Sequence, residues 1–145
     1  MRYQRKSESR HAGKQLLYNY REDRRRLNEL QADYIHGRSG PEAGRRGSTP
    51  GDPTGRAGAG LAGDEEAARL ERRCGAVERT LERLKKEHDP QVSRYLLELV
   101  ERVYFRRDLS LTGYSIQVDR AEKTVRRWNK IILGKLAEES RDLPE

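Results

Sequence analysis

The chain has 145 residues, with 31 Lys+Arg against 24 Asp+Glu for a net charge of +7, and only 33% hydrophobic against 38% charged side chains. A globule of this length is ordinarily more apolar, so the core is expected to be small or shared with another chain, as suits elongated helices. One cysteine, Cys74, excludes an internal disulfide and fits a cytoplasmic protein. No apolar run nears the ~20 residues that span a bilayer, so no membrane is expected as a partner.

The first nine residues read as frayed, and they lack the apolar stretch of a signal peptide. From about 10 to 35 the pattern is helical: Leu16, Tyr20, Leu27, Leu30 and Tyr34 share one side, interrupted at Asp23 and Arg24. This predicts an N-terminal helical arm over 1–36 that packs on its own domain, with a partner-binding or oligomerising arm as the alternative. The run Arg24-Arg25-Arg26 reads as solvated charge rather than a phosphate contact.

Residues 37–63 hold nine glycines and three of the five prolines. Such a segment buries little and loses much entropy on ordering, so a flexible linker is expected, firmly over 37–51. Asp52-Pro53 offers a helix start as N-cap and N1. The glycines at 55, 58, 60 and 63 each weaken that start by up to about 1 kcal/mol, which leaves Asp64 as the later alternative.

Over 64–88, Ala67, Leu70, Cys74, Val77, Leu81 and Leu84 alternate spacings of three and four, the seam of a helical hairpin or short coiled coil. Cys74 on that seam reads as a small buried residue, not a nucleophile. Asp89-Pro90 is a second N-cap and N1 pair, and Val92, Leu96, Leu99, Val100 and Val103 form the most apolar face of the chain.

The segment 109–134 carries the chemistry. Val125, Trp128 and Ile132 fall at i, i+3 and i+7, while Lys123, Arg126, Arg127 and Lys130 fall on the opposite side. Between 120 and 135 there are six basic residues and one acidic, whereas 64–88 balances seven against seven. A helix that anchors an apolar flank and offers a cationic one suits an anionic partner, most commonly nucleic acid. The spacing Ser115, Asp119, Arg120-Ala121 and Thr124-Val125 matches a helix-turn-helix, with Arg120 where an apolar residue is usual and Ala121 where Ser would cap. Asp119 and Glu122 substitute as a capping box, so the second helix is expected to begin at Arg120. Trp128, flanked by Val125 and Ile132, is expected in the core rather than stacked on a base.

The chain resembles the phage RinA/ArpU group of transcriptional regulators, whose DNA-binding part is similar to region 4 of sigma factors. The resemblance spans the N-terminal helix, the joint ending in Gly51-Asp52-Pro53-Thr54, the Arg/Glu/Leu helix of 64–88, and the stretch from Leu109-Ser110 to Thr124-Val125-Arg126-Arg127-Trp128. It implies activation of late or packaging genes of a phage or prophage. It places Thr124, Arg126 and Arg127 on the exposed part of a recognition helix and Trp128 on its packing face. Lys123, Arg126, Arg127 and Lys130 would then approach the major groove, with Arg126 or Arg127 pairing bidentately with guanine. Arg120 and Lys130 would hold phosphates, Ser110, Thr112 and Tyr114 would reach the DNA backbone, and Glu122 would either accept from cytosine or cap the helix.

The sequence therefore predicts an all-α protein: an arm over 1–36, a joint over 37–63, and a helical domain over 64–145 ending in a helix-turn-helix at about 109–134. The expected function is sequence-specific DNA binding in transcription regulation, in the cytoplasm of a bacterial or phage-infected host cell. Double-stranded DNA is the expected partner, RNA polymerase a candidate one. The apolar shortage and the 67–84 seam favour a homodimer or higher homo-oligomer, and hence half-sites about one helical turn apart. The alternatives are a small terminase-like packaging subunit and a helical protein–protein adaptor. An enzyme is not expected: there is no G-x-S-x-G, and the Gly-rich segment lacks the Gly-Lys-Ser/Thr of a phosphate loop. No metal or cofactor is expected either, since His11, His36 and His88 stand apart without ligand spacing.

Overall fold

The computed structural model describes residues 2–39 and 53–143, with side chains described at 10–33 and 63–143. Every regular element among them is helical, so the chain is all-α. In order these are α1 (Arg2–Ser39), α2 (Pro53–Lys86), α3 (Pro90–Leu99), a π-helical turn (Val100–Phe105), α4 (Leu111–Gln117) and α5 (Glu122–Glu139).

Both ends of the first helix differ from the sequence reading. It begins at Arg2, not near residue 10, and runs to Ser39, into the segment expected as linker. The second helix begins at Pro53, the earlier of the two starts the sequence offered, so 53–63 is helical and not part of a linker. Ala57, Ala59 and Ala62 alternate with the glycines there. Extending an established helix costs far less than nucleating one, so alanine propagation offsets the glycine penalty. Asp52 as its cap, the joint over 40–52 and the side chain of Tyr34 lie outside the described residues.

Contacts divide the chain into two units, Met1–Arg21 with Arg73–Glu145, and Glu22–Arg72. Each of the two long helices contributes to both units. In the smaller unit Leu27 and Leu70 are buried, and Arg26 joins α1 to α2 through a paired contact to Glu66 at 3.0 and 3.4 Å. The Arg24–Arg26 run is thus not simply solvated.

In the larger unit the core is built from the apolar faces of all five helices. Leu17 of α1, Val77 and Leu84 of α2, and Leu96, Leu99 and Val100 are fully enclosed, together with Tyr104, Tyr114, Val125, Ile132 and Leu136. Leu17 is off the stripe expected for α1, which the sequence placed on Leu16 and Tyr20. Cys74 is buried, as its seam position required. Of the seam, Leu70, Cys74, Val77 and Leu84 are buried within the single chain, and Ala67 and Leu81 are half-buried.

Asp89 caps α3 as the sequence predicts, accepting from the N–H groups of Gln91 and Val92 at 3.0 and 3.1 Å with Pro90 in the first turn. The π turn then widens the backbone, with the Arg106 N–H bonded to the Glu101 carbonyl five residues back. It ends on Arg107, whose φ of 58° lies in the left-handed region. The Arg107 side chain secures that geometry: its guanidinium donates to the Tyr18 carbonyl at 2.7 Å and lies 4.7 Å from the centre of the Tyr18 ring.

Candidate nucleic-acid interface

Two helices joined by a tight turn form the end of the larger unit. Ser110 opens α4 by accepting from the Gly113 N–H at 3.0 Å. Tyr114 and Ser115 point inward and are buried, and the small Ser115 returns its hydroxyl to the Thr112 carbonyl at 2.6 Å. The helix closes in a Schellman motif: the Arg120 N–H reaches the Ser115 carbonyl at 3.0 Å and the Asp119 N–H reaches the Ile116 carbonyl at 3.2 Å. This places Asp119 at the left-handed position, φ 55°, that glycine usually fills.

That geometry overturns the expected capping box. Asp119 ends α4 and does not begin α5, which starts at Glu122 with Ala121 as an N-cap that offers no side-chain bond. Glu122 is committed elsewhere. Its carboxylate accepts from the Thr112 hydroxyl at 2.5 Å and from Arg126 at 2.8 Å, which braces α4 against α5. The Thr112 hydrogen bond, then the Arg126 bond and charge, hold its pKa below the usual carboxylate range.

Two other expected site residues are placed apart. Tyr114 is fully buried, and its hydroxyl donates to the Tyr95 carbonyl at 3.0 Å, so it is a core residue and not a surface donor. Burial accordingly pushes its pKa up. Arg120 lies over the Tyr95 ring, 5.3 Å from its centre, with a contact to the Tyr95 hydroxyl at 3.4 Å. Tyr95 in turn stacks on Trp128 at 4.9 Å, which seats the tryptophan in the core as its flanking residues implied.

The remaining residues gather on α5. Val125, Trp128, Ile132, Leu133 and Leu136 face inward and are buried, while Lys123, Arg126, Arg127 and Lys130 are exposed one turn apart along the other side. Thr124 is half-buried at the margin. Asn129, between the faces, is buried and accepts from the Tyr104 hydroxyl.

The cationic side of α5 is one wall of a groove of about 780 Å³. Its lining includes Lys123, Arg126, Arg127 and Lys130, and from α1 it takes Arg10 and Lys14. Glu122 is the one acid in that lining. A neighbouring depression of about 420 Å³ shares Lys14 and Leu111 with it and is lined in addition by Ser110 and Arg107. Thr112 and Arg120 line neither. Several other cations of this unit are paired with acids: Arg21 with Glu101 at 2.6 Å, Arg102 with Asp108 at 3.0 Å, and Arg83 with Glu87 and Glu138, each at 2.8 Å. Lys123, Arg127 and Lys130 have no carboxylate partner among the described residues.

No family model, no curated protein and no solved structure matches the chain. Interpretation of the groove therefore rests on its own chemistry. A row of exposed guanidinium and ammonium groups on a rigid helix offers bidentate and point-charge donors to phosphate and to the acceptor edges of bases. Among the described residues no helix is long and apolar enough to cross a membrane.

Sequence reasoning missed Arg10 and Lys14. They stand more than a hundred residues from α5, and nothing in their local pattern distinguishes them from the other cations of α1.

Proposed function

We propose that the chain is a sequence-specific DNA-binding regulator of transcription, of the phage RinA/ArpU type, with α4 and α5 as its helix-turn-helix. One observation carries the reading: α5 is fixed by a buried apolar flank and leaves Lys123, Arg127 and Lys130 unneutralised in a molecule that pairs many of its other cations. Uncompensated like charge along one face raises the local potential and costs stability, a cost an anionic partner removes. In this reading α5 lies in the major groove. Arg127 and Arg126 address base edges, and Lys123 and Lys130 address phosphates. Ser110 and Thr112 stand at the α4 side, where a DNA backbone would pass. Activation of late or packaging genes belongs to the same proposal and follows from the resemblance.

Selection of binding sites from a random duplex pool at a fixed salt concentration tests this. An enriched sequence is expected, and Arg127→Ala should lower the preference for it by about 1–3 kcal/mol, roughly ten- to a hundredfold, while helical content is kept. Two half-sites in that sequence would indicate a dimer. Retention that is absent, or indifferent to salt, would remove the DNA reading and favour an adaptor.

A further inference from the structure

α1 supplies the opposite wall of the groove, and its chemistry matches that of α5. Gly13 is buried, and a Cβ built on it would stand 3.5 and 3.6 Å from the side chains of Leu133 and Leu136. The two helices are therefore in close contact at the C-terminal half of α5. One residue on, Lys14 borders the groove, and one turn back along α1 Arg10 borders it as well. Neither has a carboxylate partner among the described residues, and α1 contributes no acid to the lining.

Two cationic walls facing one cleft repel each other in the free protein. Such a cleft focuses potential on whatever anion enters it. A helix in the major groove is flanked by sugar–phosphate strands, and the strand beside α5 needs a channel next to that helix. Arg10 and Lys14 are one helical turn apart, about 6 Å along α1, close to the rise of two successive nucleotides at ~3.4 Å each.

We infer that α1 is a second, phosphate-binding wall of the DNA site, with Arg10 and Lys14 holding the strand that runs beside α5. The inference rests on the DNA reading and deepens it. α5 supplies sequence preference, and α1 supplies register and salt-dependent affinity without preference.

The test uses the full chain and the duplex recovered by selection, with binding measured from 50 to 200 mM salt. Arg10→Gln with Lys14→Gln should lower the slope of log affinity against log salt by about 1.8, two phosphate contacts at ~0.9 each. The loss of affinity across that range should then shrink by roughly tenfold. Preference for the selected duplex over a scrambled one should stay as in the parent, and Arg10→Lys with Lys14→Arg should restore the slope. Both positions border solvent, and circular dichroism verifies that the variants keep their helices.

An unchanged slope in the Gln variant, with the parent binding DNA normally, overturns the inference and leaves the DNA reading standing. A lost preference overturns it too, because α1 would then read bases. If the parent shows no salt-dependent DNA binding, both fall together, and an acidic protein becomes the better occupant of the cleft.

Discussion

Asp119 illustrates how one residue can satisfy two sequence rules and obey only one. Followed three residues later by Glu122, it reads as a helix N-cap. The backbone instead turns it left-handed, because the carbonyls of Ser115 and Ile116 at the end of α4 take the N–H groups of Arg120 and Asp119. Aspartate tolerates this conformation better than most residues, but glycine adopts it without a Cβ penalty. Asp119→Gly is therefore expected to stabilise the protein by about 1 kcal/mol, read as a higher midpoint in urea unfolding. Were Asp119 acting as a cap, the same change would be close to neutral or destabilising. Tyr114 is a similar case. Its sequence position beside Ser110 and Thr112 suggested a surface donor, yet the seven-residue helix turns it into the core. Helical phase decides this, and a one- or two-residue shift in where a short helix begins moves a side chain from one face to the other.

The start set by the Asp89–Pro90 pair and the two-faced pattern of α5 were read more accurately than the extents of the long helices α1 and α2. The Val125–Trp128–Ile132 stripe and the Asp89–Pro90 start are local patterns, and both stand as expected. The start of α2 was ambiguous from sequence because alanines and glycines alternate there and their propensities nearly cancel. Such a segment is decided by the helix it continues. Within α5 a glycine interrupts good helix formers at position 134. It is exposed, and a Cβ placed there would meet nothing within 4 Å. Gly134→Ala should thus raise stability by about 0.5–1 kcal/mol through backbone entropy alone. The expected readout is a higher thermal midpoint with DNA affinity unchanged, because Gly134 is not part of the groove lining.

Across the larger unit, charge is managed by distant pairing. Arg79 and Arg83 of α2 meet Glu138 and Glu139 of α5, and Lys135 meets Glu87 at 2.5 Å. Glu87 accepts from Arg83 first and from Lys135 second, which holds its pKa at about 2. A carboxylate depressed in the folded state contributes stability that is complete above its unfolded pKa of about 4.3. That contribution is lost as pH falls toward 2. The thermal midpoint should accordingly decline between about pH 4.5 and 2, and Glu87→Gln should flatten that decline. Added salt should weaken the effect, since the Glu87 carboxylate is exposed to solvent.

Composition and periodicity were sufficient for the all-α class, for the helix after Asp89 and for the two-faced character of α5, because each depends on residues within a few turns of one another. Several ion pairs were settled only by packing, since Arg21–Glu101, Arg26–Glu66 and Arg79–Glu139 join residues 40 to 80 apart in the chain. Packing likewise brought Arg10 and Lys14 beside Lys123, Arg127 and Lys130. Side-chain charge is written in the sequence, but electrostatic potential depends on distance, and distance between remote residues exists only once the helices have docked.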